Sequence, residues 1–137
     1  METTDLETSL AHFTGTEAWH RYSPLFRQLL LTDGVKFLCE NAGAYWLVDA
    51  IGSHIFTNRK VFDPRQNPMQ FWNLTVTGDK AVLTCTDGGK HGEEPVELAR
   101  QDIEFTDFPL PQIDIWASWD VGLDPKGAFV LMLPSEY

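Results

Sequence analysis

The sequence predicts an α+β domain in which N-terminal helices pack on one face of an antiparallel sheet of about five strands. Two observations support this fold class. Apolar residues recur at three- and four-residue spacing in the first half of the chain, and alternating β-rich runs fill the second half. The 137 residues are the length of one domain. We therefore expect a single domain over residues 1–137, helical over about 1–57 and sheet over about 69–133.

The helical half contains one strong stretch and two weaker ones. In the strong stretch, Thr32 or Asp33 can cap the helix start by accepting from free backbone N–H groups. Gly43 lies inside it and either separates two helices or lets another element approach closely. The stretches that favour helix are residues 1–12, a turn from Pro24 to Leu30, and residues 32–56.

The second half alternates apolar and polar residues and is rich in β-branched and aromatic side chains. Gly78 and Asp79 separate the first two runs and predict a hairpin turn. Residues 90–97 are polar and predict an exposed loop. The predicted strands are residues 70–77, 80–86, 99–108, 112–119 and 128–133.

The charge of the chain is strongly negative and uneven. The formal net charge is −10, and most of it lies in the second half. Nucleic-acid binding requires cations that neutralise phosphates, so the balance argues against direct contact with DNA or RNA. It favours a basic protein partner that is attracted by electrostatic steering. Solubility alone is the alternative explanation of the charge.

The two cysteines and the apolar runs indicate a reduced, non-membrane location. Cys39 and Cys85 both lie in apolar settings and are expected to pack as small core side chains. The first ten residues are polar and acidic, unlike a secretory leader. No apolar run approaches the roughly 20 residues of a membrane span. We expect a cytoplasmic protein without membrane contact.

Catalytic and metal-binding patterns are absent from the sequence. His12, His20, His54 and His91 make no H-E-x-x-H pattern, and the cysteines make no C-x-x-C pair. Neither a nucleophile elbow nor a glycine-rich phosphate loop occurs. We therefore expect no catalytic residue, no metal and no cofactor, and a protein that is not an enzyme.

Acids and aromatics alternate between residues 103 and 121, where no Lys or Arg occurs. Side chains of a strand alternate between its two faces, so Ile115 and Ala117 are expected to face the core. Trp116 would then lie on the opposite face, flanked by carboxylates. Such a face either binds a basic partner or is only solvated and resists edge-to-edge aggregation. The candidate partner-binding residues are Asp107, Asp114, Trp116, Asp120 and Asp124.

Five phrases of the chain resemble an uncharacterised family of small acidic bacterial proteins. They are "FTGTE" at Phe13–Glu17, "TDGV" at Thr32–Val35, "GAYWLVD" at Gly43–Asp49, "IEFTDFPLP" at Ile103–Pro111 and "LPSEY" at residues 133–137. The resemblance covers nearly the whole chain. It implies carriage on plasmids, phages and other mobile elements, but it transfers no catalytic residue.

Charge and resemblance together predict a non-catalytic inhibitor from a mobile element. It would act on a host defence complex in the manner of an anti-CRISPR or antirestriction protein, by occupying a basic nucleic-acid-binding surface. Its partner would be a basic host protein or nucleoprotein complex. One alternative is a small enzyme or small-molecule-binding domain with a pocket between the helices and the sheet. Another is an interaction domain that serves the mobile element itself.

Overall fold

The computed structural model describes residues 3–137, so residues 1–2 of the predicted N-terminal helix lie outside the described residues. Within these residues, three α-helices and seven strands follow one another along the chain. The helices are α1 (Thr3–Ala11), α2 (Asp33–Ala42) and α3 (Tyr45–Thr57). The strands are β1 (Trp19–Arg21), β2 (Leu29–Thr32), β3 (Met69–Thr77), β4 (Lys80–Thr86), β5 (Glu97–Ile103), β6 (Gln112–Asp120) and β7 (Ala128–Met132). Short 3₁₀ turns occupy Pro24–Phe26 and Pro134–Glu136.

All seven strands form one mixed sheet in the order β1-β2-β7-β6-β3-β4-β5. Strands β3 to β7 correspond to the five predicted strands. The α+β class is confirmed, but the expected antiparallel sheet of about five strands is matched only in part, for two reasons. Two further strands come from the half that was predicted to be helical, and β2 pairs with β7 in parallel.

The burial of β2 explains why the sequence did not indicate a strand there. Its sequence is Leu29-Leu30-Leu31-Thr32, and all four residues are buried. Leu29 and Leu31 belong to the main core, whereas Leu30 joins a smaller cluster with Ala128 and Val130. A strand that is buried on both faces shows no alternation, so its short apolar run cannot be distinguished from part of a helix.

Helices α2 and α3 divide at Gly43, which was one of the two expected outcomes. Thr32 caps the start of α2, where its hydroxyl accepts a hydrogen bond from the Val35 N–H at 3.3 Å. Gly43 ends α2 with a left-handed backbone (φ 60°), a conformation that glycine adopts without steric cost. The helix therefore stops there and α3 begins two residues later.

The main core lies between the helices and one face of the sheet. Leu38 of α2 and Ile51 of α3 are fully buried in the same cluster as Trp72 of β3 and Ile115 of β6. Both cysteines are buried there, as expected. This arrangement leaves the opposite face of the central strands without a helix.

Strand β5 ends at Ile103, earlier than predicted, and a loop over residues 104–111 leads to β6. Phe108 and Leu110 of this loop are buried in the main core. The Phe108 ring meets the Trp46 ring edge to face, with 6.4 Å between centroids. The loop therefore closes over the helical side of the molecule. Across residues 3–137, no helix combines the length and apolar character that a membrane span needs.

Candidate protein-binding surface

The sheet face opposite the helices, here called the outer face, contains the acidic aromatic strand. In β6, Ile115 and Ala117 are buried, and the residues that alternate with them project to the other side of the sheet. This matches the alternation expected from the sequence. The β6 residues of the outer face are Asp114, Trp116, Ser118 and Asp120, and they extend along about 20 Å of strand at ~3.3 Å per residue.

Trp116 is the centre of an aromatic row on the outer face. Its ring meets Phe71 of the neighbouring strand at 5.2 Å between centroids and Tyr137 at 5.5 Å. Both pairs are edge to face, a favourable geometry for aromatic rings. Trp116 is half-buried and lies on the side of the sheet away from the helices, whereas Tyr137 is 78% exposed. The aromatic row therefore packs against the sheet on one side and faces solvent on the other.

Gly88 packs against Phe71, the end of this row that lies on β3. A β-carbon at Gly88 would overlap the Phe71 ring, and its backbone has a φ of 75°. The chain can approach Phe71 this closely only because residue 88 has no side chain. The β4–β5 loop therefore contributes to the outer face through its contact with Phe71.

Asp114 and Asp120 flank the aromatic row and are both exposed. Asp114 Oδ1 accepts a hydrogen bond from the Asn73 side-chain amide at 2.8 Å. Asp120 Oδ1 accepts from the Gly122 N–H at 2.7 Å. Within the described part of the chain, no Lys, Arg or His lies within ion-pair distance of either carboxylate. Both negative charges therefore face solvent, held in place by neutral donors.

Asp124 differs from these two carboxylates because a cation approaches it. It lies in the turn after β6, where its Oδ1 accepts from the Lys126 N–H at 2.9 Å. Its Oδ2 is 3.7 Å from the Arg21 guanidinium of β1. Arg21 is distant in sequence, so the strand pairing alone brings this partner to Asp124. Part of the Asp124 charge is therefore neutralised within the fold.

Asp107 does not join the other candidates. It is exposed in the loop between β5 and β6, flanked by buried Thr106 and Phe108. The Thr106 N–H donates to the Asp79 carbonyl at 2.6 Å, so this loop lies beside the β3–β4 turn. That turn is at the opposite end of β6 from Asp120. The structure thus groups Asp114, Trp116 and Asp120, places Asp124 nearby, and separates Asp107.

Sequence reasoning missed two of the three aromatic side chains of the row. Phe71 faces Trp116 because β3 and β6 pair with these residues opposite each other. The sequence predicts both strands but not which strands are neighbours, so this contact had no local signal. Tyr137 follows a 3₁₀ turn, and its position depends entirely on that turn docking against α2.

One histidine–carboxylate pair occurs on the helical side. His20 Nε2 lies 2.7 Å from Asp33 Oδ1, and the Glu17 N–H donates to Asp33 Oδ2 at 2.9 Å. The hydrogen bond from His20, followed by that from Glu17, lowers the pKa of the Asp33 carboxyl. The His20–Asp33 contact joins β1 to the first residue of α2. Over residues 3–137, His, Cys, Asp and Glu side chains form no group of three that could hold a metal ion.

Comparison with known families identifies a match over most of the chain. A family model described as "Family of unknown function (DUF6876)" covers residues 4–137. The chain belongs to the DUF6876 family. The resemblance noted from the sequence is thus confirmed as membership of an uncharacterised family. Neither the curated proteins nor the solved structures yield a match to this chain.

The DUF6876 match includes all seven strands, so the outer face lies within the family's common length. The family description names no activity. A function can therefore be inferred only from the physical properties of the outer face, and family membership adds no activity.

Proposed function

We propose that this protein is a non-catalytic inhibitor that binds a basic protein surface through its outer face. The observation that carries the proposal is the aromatic row of Phe71, Trp116 and Tyr137, flanked along β6 by two exposed carboxylates. Tryptophan and tyrosine are the residues most often found at the energetic centre of interfaces.

The chemistry of the row fits arginine and lysine. A guanidinium stacks on an indole face and simultaneously forms hydrogen bonds to a carboxylate. Trp116 provides the indole, and Asp114 and Asp120 provide carboxylates on the same face. The net charge of −10 attracts a basic partner over distance and repels free nucleic acid.

A surface that binds nucleic acid presents the same arginine and lysine side chains to phosphates. An acidic protein that covers such a surface competes directly with the nucleic acid. Family resemblance implies carriage on mobile elements, where host defence complexes with basic grooves are natural targets. We propose that the protein acts there in an anti-CRISPR or antirestriction manner, within the host cytoplasm.

Affinity capture from a nuclease-treated host lysate tests this proposal, because nuclease removes bridging nucleic acid. The captured partner should be basic and should release its nucleic acid when the protein binds. Trp116→Ala should then weaken binding by about 2 kcal/mol or more. Phe105→Ala is the control, since Phe105 is a large aromatic side chain that is 74% exposed in the loop after β5. Unchanged affinity for a folded Trp116→Ala variant would contradict the proposal.

The carboxylates are tested separately through association kinetics. Asp114→Asn combined with Asp120→Asn should slow association and flatten its dependence on salt, because steering acts mainly on the on-rate. Asp5→Asn combined with Glu7→Gln removes the same charge from exposed positions of α1. If both double variants slow association equally, only net charge matters and the outer face has no special role.

Direct binding to nucleic acid is excluded by the same proposal. A gel-shift titration with DNA and RNA at physiological salt should show no complex at micromolar protein. A micromolar complex would instead place nucleic acid among the ligands and remove the basis for competition.

A pocket between helix and sheet favours a second candidate, a small-molecule-binding domain. It encloses about 170 Å³ and is lined by Phe56 and Arg59 near the end of α3 and by Trp119 and Phe129 of the sheet. Drug-sized ligands usually occupy roughly 300–1,000 Å³, so only a small apolar ligand fits. A thermal-shift screen with small aromatic compounds tests this candidate. Stabilisation that Trp119→Ala abolishes would support it.

A further inference from the structure

Strand β5 is the open edge of the sheet. It is last in the strand order, and among residues 3–137 it pairs only with β4. The other edge, β1, has three residues, whereas β5 has seven. A long edge strand presents unpaired N–H and C=O groups and is a template for another strand. We infer that β5 pairs in antiparallel fashion with β5 of a second copy of this chain.

The side chains of β5 define one register for this pairing. With Gln101 opposite Gln101 of the second copy, Arg100 lies opposite Asp102 of that copy, and the two-fold axis repeats the pair. Arg100 and Asp102 both project to the outer face, since they lie opposite Thr84 and Val82 of β4. Opposite charges in directly facing positions stabilise a sheet.

The same register places apolar side chains together on the helical face. Ala99 lies opposite Ile103 of the second copy, again twice. Both residues are partly buried and pack against the main core of their own chain. The pairing would therefore extend the core across the interface on one face and form two ion pairs on the other.

Neighbouring registers are less favourable. If the axis lies at Arg100, the arginines of the two copies face each other. If it lies at Asp102, the two aspartates face each other, and Arg100 faces Glu104, which lies beyond the end of β5 at Ile103. Like charges in directly facing positions destabilise a pair of strands. Arg100 also contacts Glu97 of its own strand at 2.8 Å. Such an exposed ion pair is weak, so it does not prevent Arg100 from binding Asp102 of the second copy.

Two exposed apolar side chains flank β5 and are consistent with a second copy of the chain as its partner. Val96 before the strand is 54% exposed, and Phe105 after it is 74% exposed. In an antiparallel pair centred on Gln101, the start of one strand meets the end of the other. Counting outward from Gln101, Phe105 of each copy comes opposite Glu97 of the other copy, and Val96 comes opposite Thr106. Both exposed apolar side chains therefore lie at the ends of the interface. Pairing at this edge leaves Trp116 of β6 uncovered, so the inference is independent of the proposed function.

Sedimentation velocity over a series of protein concentrations tests the dimer. Salt of about 150 mM is appropriate, because a Debye length near 8 Å screens the general repulsion between acidic chains. The wild-type chain of 15.6 kDa should sediment at about twice that mass as concentration rises. The Arg100→Glu variant should sediment as a monomer, because its glutamate would face the negatively charged Asp102 of the second copy. Asp102→Arg should do the same, since it opposes two cations.

The double variant R100E/D102R exchanges the two charges and should restore the dimer. Lys60→Glu is the control, because it makes the same charge change at an exposed position after α3. It should leave the dimer intact. Circular dichroism must show that all variants are folded. A wild-type protein that stays monomeric at every concentration overturns the inference. So does a dimer that both single variants retain, or a double variant that remains monomeric.

Discussion

The Thr32 hydroxyl donates a hydrogen bond to Glu136 Oε1, with 2.6 Å between the oxygens. The same carboxylate accepts from the Gly34 N–H at 3.1 Å and the Leu133 N–H at 3.0 Å. Glu136 therefore places a negative charge at the N-terminus of α2, where the helix dipole favours an anion. This contact also anchors the segment that carries Tyr137 to the outer face. A helix end on one side of the sheet thus helps to position a side chain of the candidate surface.

Glu136→Gln should lower the free energy of unfolding by about 1 kcal/mol. The glutamine loses the charge, and its amide nitrogen would face donor groups where Glu136 supplies acceptors. Chemical denaturation measures the change. Glu94→Gln removes a carboxylate from an exposed loop and should remain within about 0.5 kcal/mol of wild type. Equal effects of the two variants would show that the Glu136 contact is not stabilising.

Gly34→Ala should destabilise the protein although alanine is the better helix former by about 1 kcal/mol. A β-carbon at Gly34 would lie 2.5 Å from Glu136 Oε1 and 2.8 Å from Leu133 Cδ1. Relieving this overlap would displace the carboxylate from the helix terminus. We expect a net loss of roughly 1–3 kcal/mol in urea unfolding.

A double-mutant cycle identifies the source of that loss. The cost of Gly34→Ala should be smaller in a Glu136→Ala background, because the shorter side chain leaves space for the β-carbon. Equal costs in the two backgrounds would assign the effect to Leu133 alone.

Acid should destabilise the fold partly through Asp33. The hydrogen bonds from His20 and Glu17 lower the pKa of this carboxyl in the folded state below its ordinary value of 3.8. Its contribution is therefore present at pH values well above 3.8 and is lost as the pH falls through the folded pKa. The free energy of unfolding of Asp33→Asn should fall less between about pH 5 and pH 2 than that of the wild type.

A complete loss of acid sensitivity is not expected from this variant. The pKa of Asp63 is lowered by Arg65 and that of Asp87 by backbone N–H groups, so they contribute in the same direction. Glu104→Gln, at an exposed loop position, serves as the control. An Asp33→Asn profile that parallels the wild type would contradict the assigned role of the His20 contact.

Both thiols should resist modification in the folded protein. Burial raises the pKa of Cys39 to about 12 and that of Cys85 further. The thiolate is the reactive form, and at pH 8 neither cysteine supplies it in appreciable amount. A thiol-reactive dye should label no cysteine in native buffer and both in denaturing urea. Rapid labelling of one thiol in the native protein would reveal an opening of the core around it.

Local patterns predicted the elements whose residues carry their own signal. The Gly78-Asp79 turn and the alternation of β6 fix the hairpin and the outward position of Trp116. Thr32 and Gly43 mark helix ends because capping hydroxyls and left-handed glycines act within a few residues. Burial of Cys39 and Cys85 likewise follows from their apolar neighbours.

The sequence by itself determined the α+β class, the five later strands and the strong negative charge. Only the tertiary structure decided that Leu29–Thr32 is a strand in parallel with β7, because burial on both faces removes the periodicity that identifies a strand. It also decided that Arg21 approaches Asp124 and that the rings of Phe71 and Tyr137 contact Trp116. These contacts join residues far apart in the chain. Strand order and the docking of the C-terminal turn create them, and neither has a local signal in the amino-acid sequence.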